Sequence, residues 1–231
     1  MAASEASAPA ARGSRFAGLL VRVLSAMVLA PLLLAAVWYG FPWIDLVTAV
    51  AAPIMIFEWS RLTRGAPVLR VLAWVYSLAA LVALLWLRHQ PAFGRETILW
   101  VLVCIFATDI GAYFVGRTAG GAKLAPRISP GKTWSGLIGG MAWAAVASAA
   151  TGYAFGLGET VHLAIAGAAL AVVGQVGDLL ESAAKRRAGV KDSGRIIPGH
   201  GGLLDRVDGL MALLVAVGIA SLFTGNSWPW T

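Results

Sequence analysis

The chain has 231 residues, of which 59% are hydrophobic and 13% charged, and its mean hydropathy is +0.78. A soluble domain carries about 25% charged residues, so the composition argues against a water-soluble fold and makes lipid the solvent for most side chains. The net charge of +7 and pI near 10.2 would suggest nucleic acid in a soluble protein. Here the basic residues lie between apolar runs, so an anionic membrane surface is the expected partner and nucleic acid is not. The single cysteine, Cys104, permits no disulfide within the chain, and the scattered His89, His162 and His200 cannot supply a zinc cluster.

Residues 1–15 are polar and rich in Ala and Ser, with Arg12 and Arg15, and read as a disordered tail. Residues 16–231 read as a single transmembrane domain. The apolar stretch 16–38 has 23 residues, against about 7–15 for the core of a signal peptide, so a retained helix is expected. A spanning helix needs about 20 mostly apolar residues. Seven stretches qualify: 16–38, 41–60, 70–88, 96–116, 134–155, 160–181 and 203–224. Lipid cannot satisfy a lone backbone N–H or C=O, so the predicted class is all-α, a polytopic bundle of about seven spanning helices.

Orientation follows from the basic residues. With the N-terminus in the cytoplasm, sixteen of the 18 Lys and Arg face that side, and only Arg88 and Arg95 face the other. Cytoplasmic loops carry the excess of Lys and Arg, so this orientation is expected. Trp38, Trp43, Trp86, Trp100, Trp228 and Trp230 fall near the outer boundary, as an aromatic belt would, whereas Trp143 falls mid-helix. Gly136-x-x-x-Gly140 and Gly152-x-x-x-Gly156 match the small-residue pattern of close helix packing.

Two segments on the cytoplasmic side carry the polar chemistry, Asp109 to Gly136 and Gln175 to Gly209. In the first, Gly131-Lys132-Thr133 suggests a phosphate-binding P-loop. That motif needs a glycine five residues earlier, where this chain has Pro126, and a parallel-sheet unit around it. What remains is Ser129-Pro130-Gly131-Lys132-Thr133 before a helix starting near Trp134. It reads either as a phosphate seat at a helix N-terminus or as an ordinary turn with Thr133 as cap. Asp109, with Tyr113 one turn on, reads as a ligand or substrate contact or as a structural pair.

In the second segment, Gln175, Asp178, Ser182 and Lys185 share one helical face. A carboxylate in a spanning helix faces the bundle interior or a watery cavity. Asp178 therefore reads as functional, or else as the partner of Lys185 or of a neighbouring helix. Asp205 and Asp208 sit three apart at the start of the last helix and, with Asp178, offer oxygen ligands to Mg²⁺; the alternative is helix-dipole stabilisation. Lys185-Arg186-Arg187 and Lys191-Asp192 read as a topology signal or as an anion site for lipid head groups or a triphosphate. His200, within Pro198-Gly199-His200-Gly201-Gly202, either hydrogen-bonds a phosphate or holds its loop.

Ser182, Lys185-Arg186, Lys191-Asp192, Pro198, His200-Gly201-Gly202, Asp205-Arg206 and Asp208 together resemble, in register, the signature of the phosphatidate cytidylyltransferase (CDP-diacylglycerol synthase) family. Gln175 to Leu179, Ser129-Pro130-x-Lys132-Thr133 and Asp109 with Ala112-Tyr113 also resemble family segments, so the likeness covers about residues 105–215. Two positions depart from it: Ala184 is smaller than the usual apolar residue, and Ser135 stands where members often have Glu. The resemblance implies the reaction of CTP with phosphatidate to give CDP-diacylglycerol and pyrophosphate in phospholipid biosynthesis. It implies Mg²⁺, with or without a monovalent cation, and a homodimer in the bacterial inner membrane with its site facing the cytoplasm. It implies that Asp178 and Asp205 bind the metal and act in catalysis with Lys185, Lys191 and Arg206. Ser129, Lys132, Thr133, Ser182, Arg186, Asp192, His200, Asp208 and Asp109 would contact substrate.

Overall fold

Helix is the form in which an apolar segment satisfies its own backbone, and the apolar stretches fold accordingly. A computed structural model describes residues 25, 27–156, 160–197, 199 and 201–224. The expected tail 1–15, most of the N-terminal part of stretch 16–38, His200 and the belt residues Trp228 and Trp230 lie outside the described residues. A short apolar helix, α1 (Met27–Tyr39), precedes six longer ones. These are α2 (Trp43–Leu62), α3 (Pro67–Arg88), α4 (Gly94–Ala119), α5 (Trp134–Phe155), α6 (Thr160–Arg187) and α7 (Leu204–Thr224). Each of the six is long and apolar enough to cross a membrane, and the chain is an integral membrane protein.

Two boundaries differ from expectation. Helix α6 continues to Arg187, so Lys185-Arg186-Arg187 is its last turn and not a flanking loop. Residues 179–187 contain good helix formers and no Gly or Pro, and the helix stops only before Gly189, where φ is +69°. Between α4 and α5 the chain forms a small antiparallel hairpin, β1 (Lys123–Ala125) with β2 (Ser129–Thr133). Ser129 to Thr133 is therefore strand and not turn, an exception to the all-α expectation. Thr133 still caps α5, its Oγ1 accepting from the Gly136 N–H at 3.0 Å.

Large apolar side chains point outward along the helices, among them Val50, Phe57, Leu78, Phe114, Ile138, Val146 and Ile165. Such an exterior suits lipid and not water. Inside, Ile44, Leu87, Trp100, Val101, Leu163, Leu213 and Val217 form one core across α2, α3, α4, α6 and α7. A second core, with Met55, Trp59, Leu62, Ala184, Leu204 and Met211, joins α2 and α3 to α6 and α7 nearer the polar end. Helix α4 is central, touching α3, α5, α6 and α7. Its closest approach is to α5, where a methyl added at Gly140 would lie 2.9 Å from the Thr108 carbonyl oxygen. The Gly136/Gly140 pair is thus a helix-packing motif. Cys104 is fully buried, with Sγ 3.0 Å from Ser148 Oγ.

Candidate active site

The ends of α2, α4 and α6 and the starts of α3, α5 and α7 gather at one end of the bundle, so the two polar segments meet there. Lys132 on β2 reaches across to α6, its Nζ 2.5 Å from Asp178 Oδ2. Asp178 Oδ1 accepts a hydrogen bond from Ser182 Oγ, one helical turn on, at 3.1 Å. Asp109 on α4 and Asp208 on α7 each lie within electrostatic range of both Asp178 and Lys132. Asp178 contacts the ammonium directly, and Asp109 and Asp208 add two more acids in its vicinity. Asp178 pairs with the hairpin and not with Lys185. A pocket of about 400 Å³ opens beside Lys132, with Arg117, Lys123, Thr133, Tyr113 and Gln175 on its wall. Three cations around one cavity suit a polyanion.

Beside this lies a second, more enclosed cluster. Lys185 Nζ is 2.7 Å from Asp205 Oδ1 and 2.5 Å from Glu181 Oε2. Asp205 Oδ2 accepts from the Ser193 N–H at 2.9 Å, from Ser193 Oγ at 3.1 Å and from the Gly202 N–H at 2.9 Å. Both oxygens of Asp205 are therefore engaged by the protein, and Lys185 is spent on two buried acids. The pair braces the loop between α6 and α7. Asp208 accepts only from the Gly209 N–H, at Oδ1 and 2.8 Å, among the described bonds.

The other expected residues spread around these clusters. Arg186 donates from Nε to the Ile128 carbonyl at 3.2 Å, tying α6 to the hairpin. Lys191, Asp192 and Arg206 are exposed on the same end. Ser129 stands in β2 opposite Ala125. Ser135, at the position where the related signature often has Glu, donates to the Gly120 carbonyl and lies 3.0 Å from Thr133 Oγ1, fastening the end of α4 to the start of α5.

Sequence reasoning passed over Glu58, Glu181, Ser193, Arg117 and Lys123 as site residues. Glu58 and Glu181 were findable, since each is an acid within an apolar stretch, the same signal that singled out Asp178. Ser193 carried no signal, because its partners are 12 and 135 residues away.

Among the described residues, no three His, Cys, Asp or Glu side chains converge tightly enough to hold an ion alone. Mg²⁺ usually needs only one or two carboxylates, with waters and substrate phosphates completing its shell. Asp178 with Asp208 or Asp109 supplies such a hard-oxygen set, and Glu181 Oε1 is buried nearby without a hydrogen-bond partner. The donors fit the ion, and the two expected ligands, Asp178 and Asp205, are each paired with a lysine.

Comparison with known proteins identifies the family of the chain. A profile of the cytidylyltransferase family matches residues 66–223. The chain is 42% identical over 169 residues to a phosphatidate cytidylyltransferase of Brucella suis, covering 73% of this chain and 61% of that protein. It is 41% identical over 202 residues to the Pseudomonas aeruginosa enzyme of that name, covering 86% and 70%. It is 33% identical over 208 residues to that of Rickettsia bellii, covering 87% and 90%. The chain spans about three-fifths of the length of the Brucella relative. Its matched helices carry both polar clusters, and the chain belongs to the cytidylyltransferase family.

Proposed function

We propose that the protein transfers a cytidylyl group from CTP to phosphatidate, giving CDP-diacylglycerol and pyrophosphate. The observation that carries this reading is the Lys132–Asp178 pair, which joins the hairpin to α6 beside a cavity walled by three cations. An attacking phosphate is already a nucleophile, so the site needs no strong base. Its work is to orient two anions and offset their charge. Lys132, Arg117 and Lys123 draw the triphosphate in, with Lys191 and Arg206 at the rim. A phosphatidate oxygen then attacks the α-phosphorus in line, the bond to the β-phosphate oxygen breaks, and pyrophosphate departs. Mg²⁺, with or without a monovalent cation, would be held by Asp178 with Asp205, Asp208 or Asp109 and would neutralise phosphate charge. The lipid tails stay in the bilayer and the head group enters sideways between helices.

The same reading makes the protein a homodimer of the bacterial inner membrane, with the site facing the cytoplasm. The test is incubation of purified, detergent-solubilised protein with labelled CTP, phosphatidate and Mg²⁺. Label in the organic phase together with pyrophosphate release is the expected result. No product from a folded sample would overturn the reading.

A further inference from the structure

Glu58 lies on α2, outside the 66–223 stretch matched by the family profile, and none of its surface is exposed. A buried carboxylate is costly unless hydrogen bonds replace its water. Here Oε1 accepts from the Leu203 N–H at 2.9 Å. Oε2 accepts from the Leu204 N–H at 2.9 Å and from Ser193 Oγ at 2.8 Å. The N–H groups at the start of α7 have no partner within their own helix, and a carboxylate from a different helix takes them up. The fit is close: a methyl added at Gly202 would lie 2.5 and 2.6 Å from the two oxygens of Glu58, and Gly194 packs on the same carboxylate.

This contact continues into the site. Ser193 Oγ lies between Glu58 and Asp205, its one hydrogen shared between the two carboxylates, and Asp205 holds Lys185 through its other oxygen. Asp205 and Asp208 stand on one face of α7, so whatever sets the start of α7 also sets Asp208 relative to Asp178. The two helices touch there: a methyl at Gly177 would lie 2.8 Å from the Asp208 carbonyl oxygen.

We propose that Glu58 is a positioning residue for the transfer, holding the α6–α7 loop and the start of α7 so that Asp208 faces Asp178 and Lys132. It contacts no substrate and acts through Ser193, Leu203 and Leu204. The inference rests on the proposed cytidylyl transfer. A glutamine at 58 turns an NH₂ toward donors that need an acceptor, so the loop shifts while the surrounding apolar core keeps its shape.

The experiment compares full-length wild type, Glu58→Gln, Ser193→Ala and the double variant in detergent. Each is assayed with CTP, phosphatidate and Mg²⁺ well below its melting temperature, and rates are taken per folded molecule. Displacement of a positioned group by about 1 Å costs up to about a hundredfold. The expected result is a kcat about tenfold lower or worse in Glu58→Gln and lower in Ser193→Ala, KM for both substrates within about twofold, and a double variant no slower than the worse single one. Wild-type kcat per folded Glu58→Gln molecule, with only the melting temperature lowered, would reduce Glu58 to a structural cap and overturn the inference. If Glu58→Gln does not fold, Ser193→Ala decides by the same two results. An inactive wild type overturns the transfer reading itself, a result separate from either.

Discussion

The two ends of the bundle use charge differently. At the site end, acids and bases from α2, α6, α7 and the hairpin converge, and their partners lie up to 146 residues apart. At the opposite end the contacts serve local shape. Arg95 pairs with its neighbour Glu96 at 2.7 Å and lies over the Trp38 ring. Arg88 donates from Nε and Nη2 to the carbonyls of Val37 and Trp38 at 2.6 and 3.1 Å, pinning the turn after α1. Asp45 and His89 form a part-exposed pair at 3.2 Å. A charge cluster in a membrane protein therefore points to chemistry when several carboxylates meet beside a cavity, and to architecture when each charge finds its own neighbour or a carbonyl.

Breaking this contrast should produce its largest effect at Asp178. Asp178→Asn keeps the Ser182 contact but removes the charge facing Lys132. CDP-lipid formation should fall by about a thousandfold, with an unchanged helical circular dichroism spectrum. Near-normal turnover would remove Asp178 from the centre of the site. Lys132→Met comes next. It takes one of three cations from the cavity and should cost about 10- to 100-fold in kcat/KM, with KM for CTP raised in steady-state assays.

The opposite end should respond in stability alone. Arg88→Ala deletes two charge-assisted hydrogen bonds, a part-buried one to the Val37 carbonyl, worth about 1.5–3 kcal/mol, and an exposed, weaker one to that of Trp38. Its melting temperature should drop by several degrees while kcat stays within about twofold of wild type. A large loss of kcat there would mean that the two ends are coupled. The smallest effect belongs to His89→Gln. A part-exposed contact of this kind contributes about 0–1 kcal/mol even when charged, so both melting temperature and activity should stay close to wild type.

The helices were legible because twenty-odd apolar residues in a row leave little choice of form. The stretches 134–155 and 203–224 were placed within a residue of α5 and α7. The hairpin was not legible: β1 is three residues long and β2 contains Pro and Gly, both poor strand formers. The pairing of Asp178 was left open between Lys185 and a neighbouring helix, since helical spacing allows the first and no spacing points to a strand. Lys132 settled it by reaching across from the hairpin. Asp205 was expected as a metal ligand from its place in the signature, and its contacts with Lys185, Ser193 and Gly202 come from tertiary packing that spacing does not show.

The sequence by itself determined the membrane class, the approximate spans, the family and the two polar segments. Each depends on composition or on residues close together in the chain, where periodicity and spacing act directly. Only the tertiary structure decided which charges meet. It placed Lys132 against Asp178, gave Lys185 to Glu181 and Asp205, and sent Glu58 from α2 to cap α7. Those pairings depend on how helices far apart in sequence pack against one another. Hydrogen bonds and ion pairs act over a few ångströms, so only that packing determines which partners come within reach.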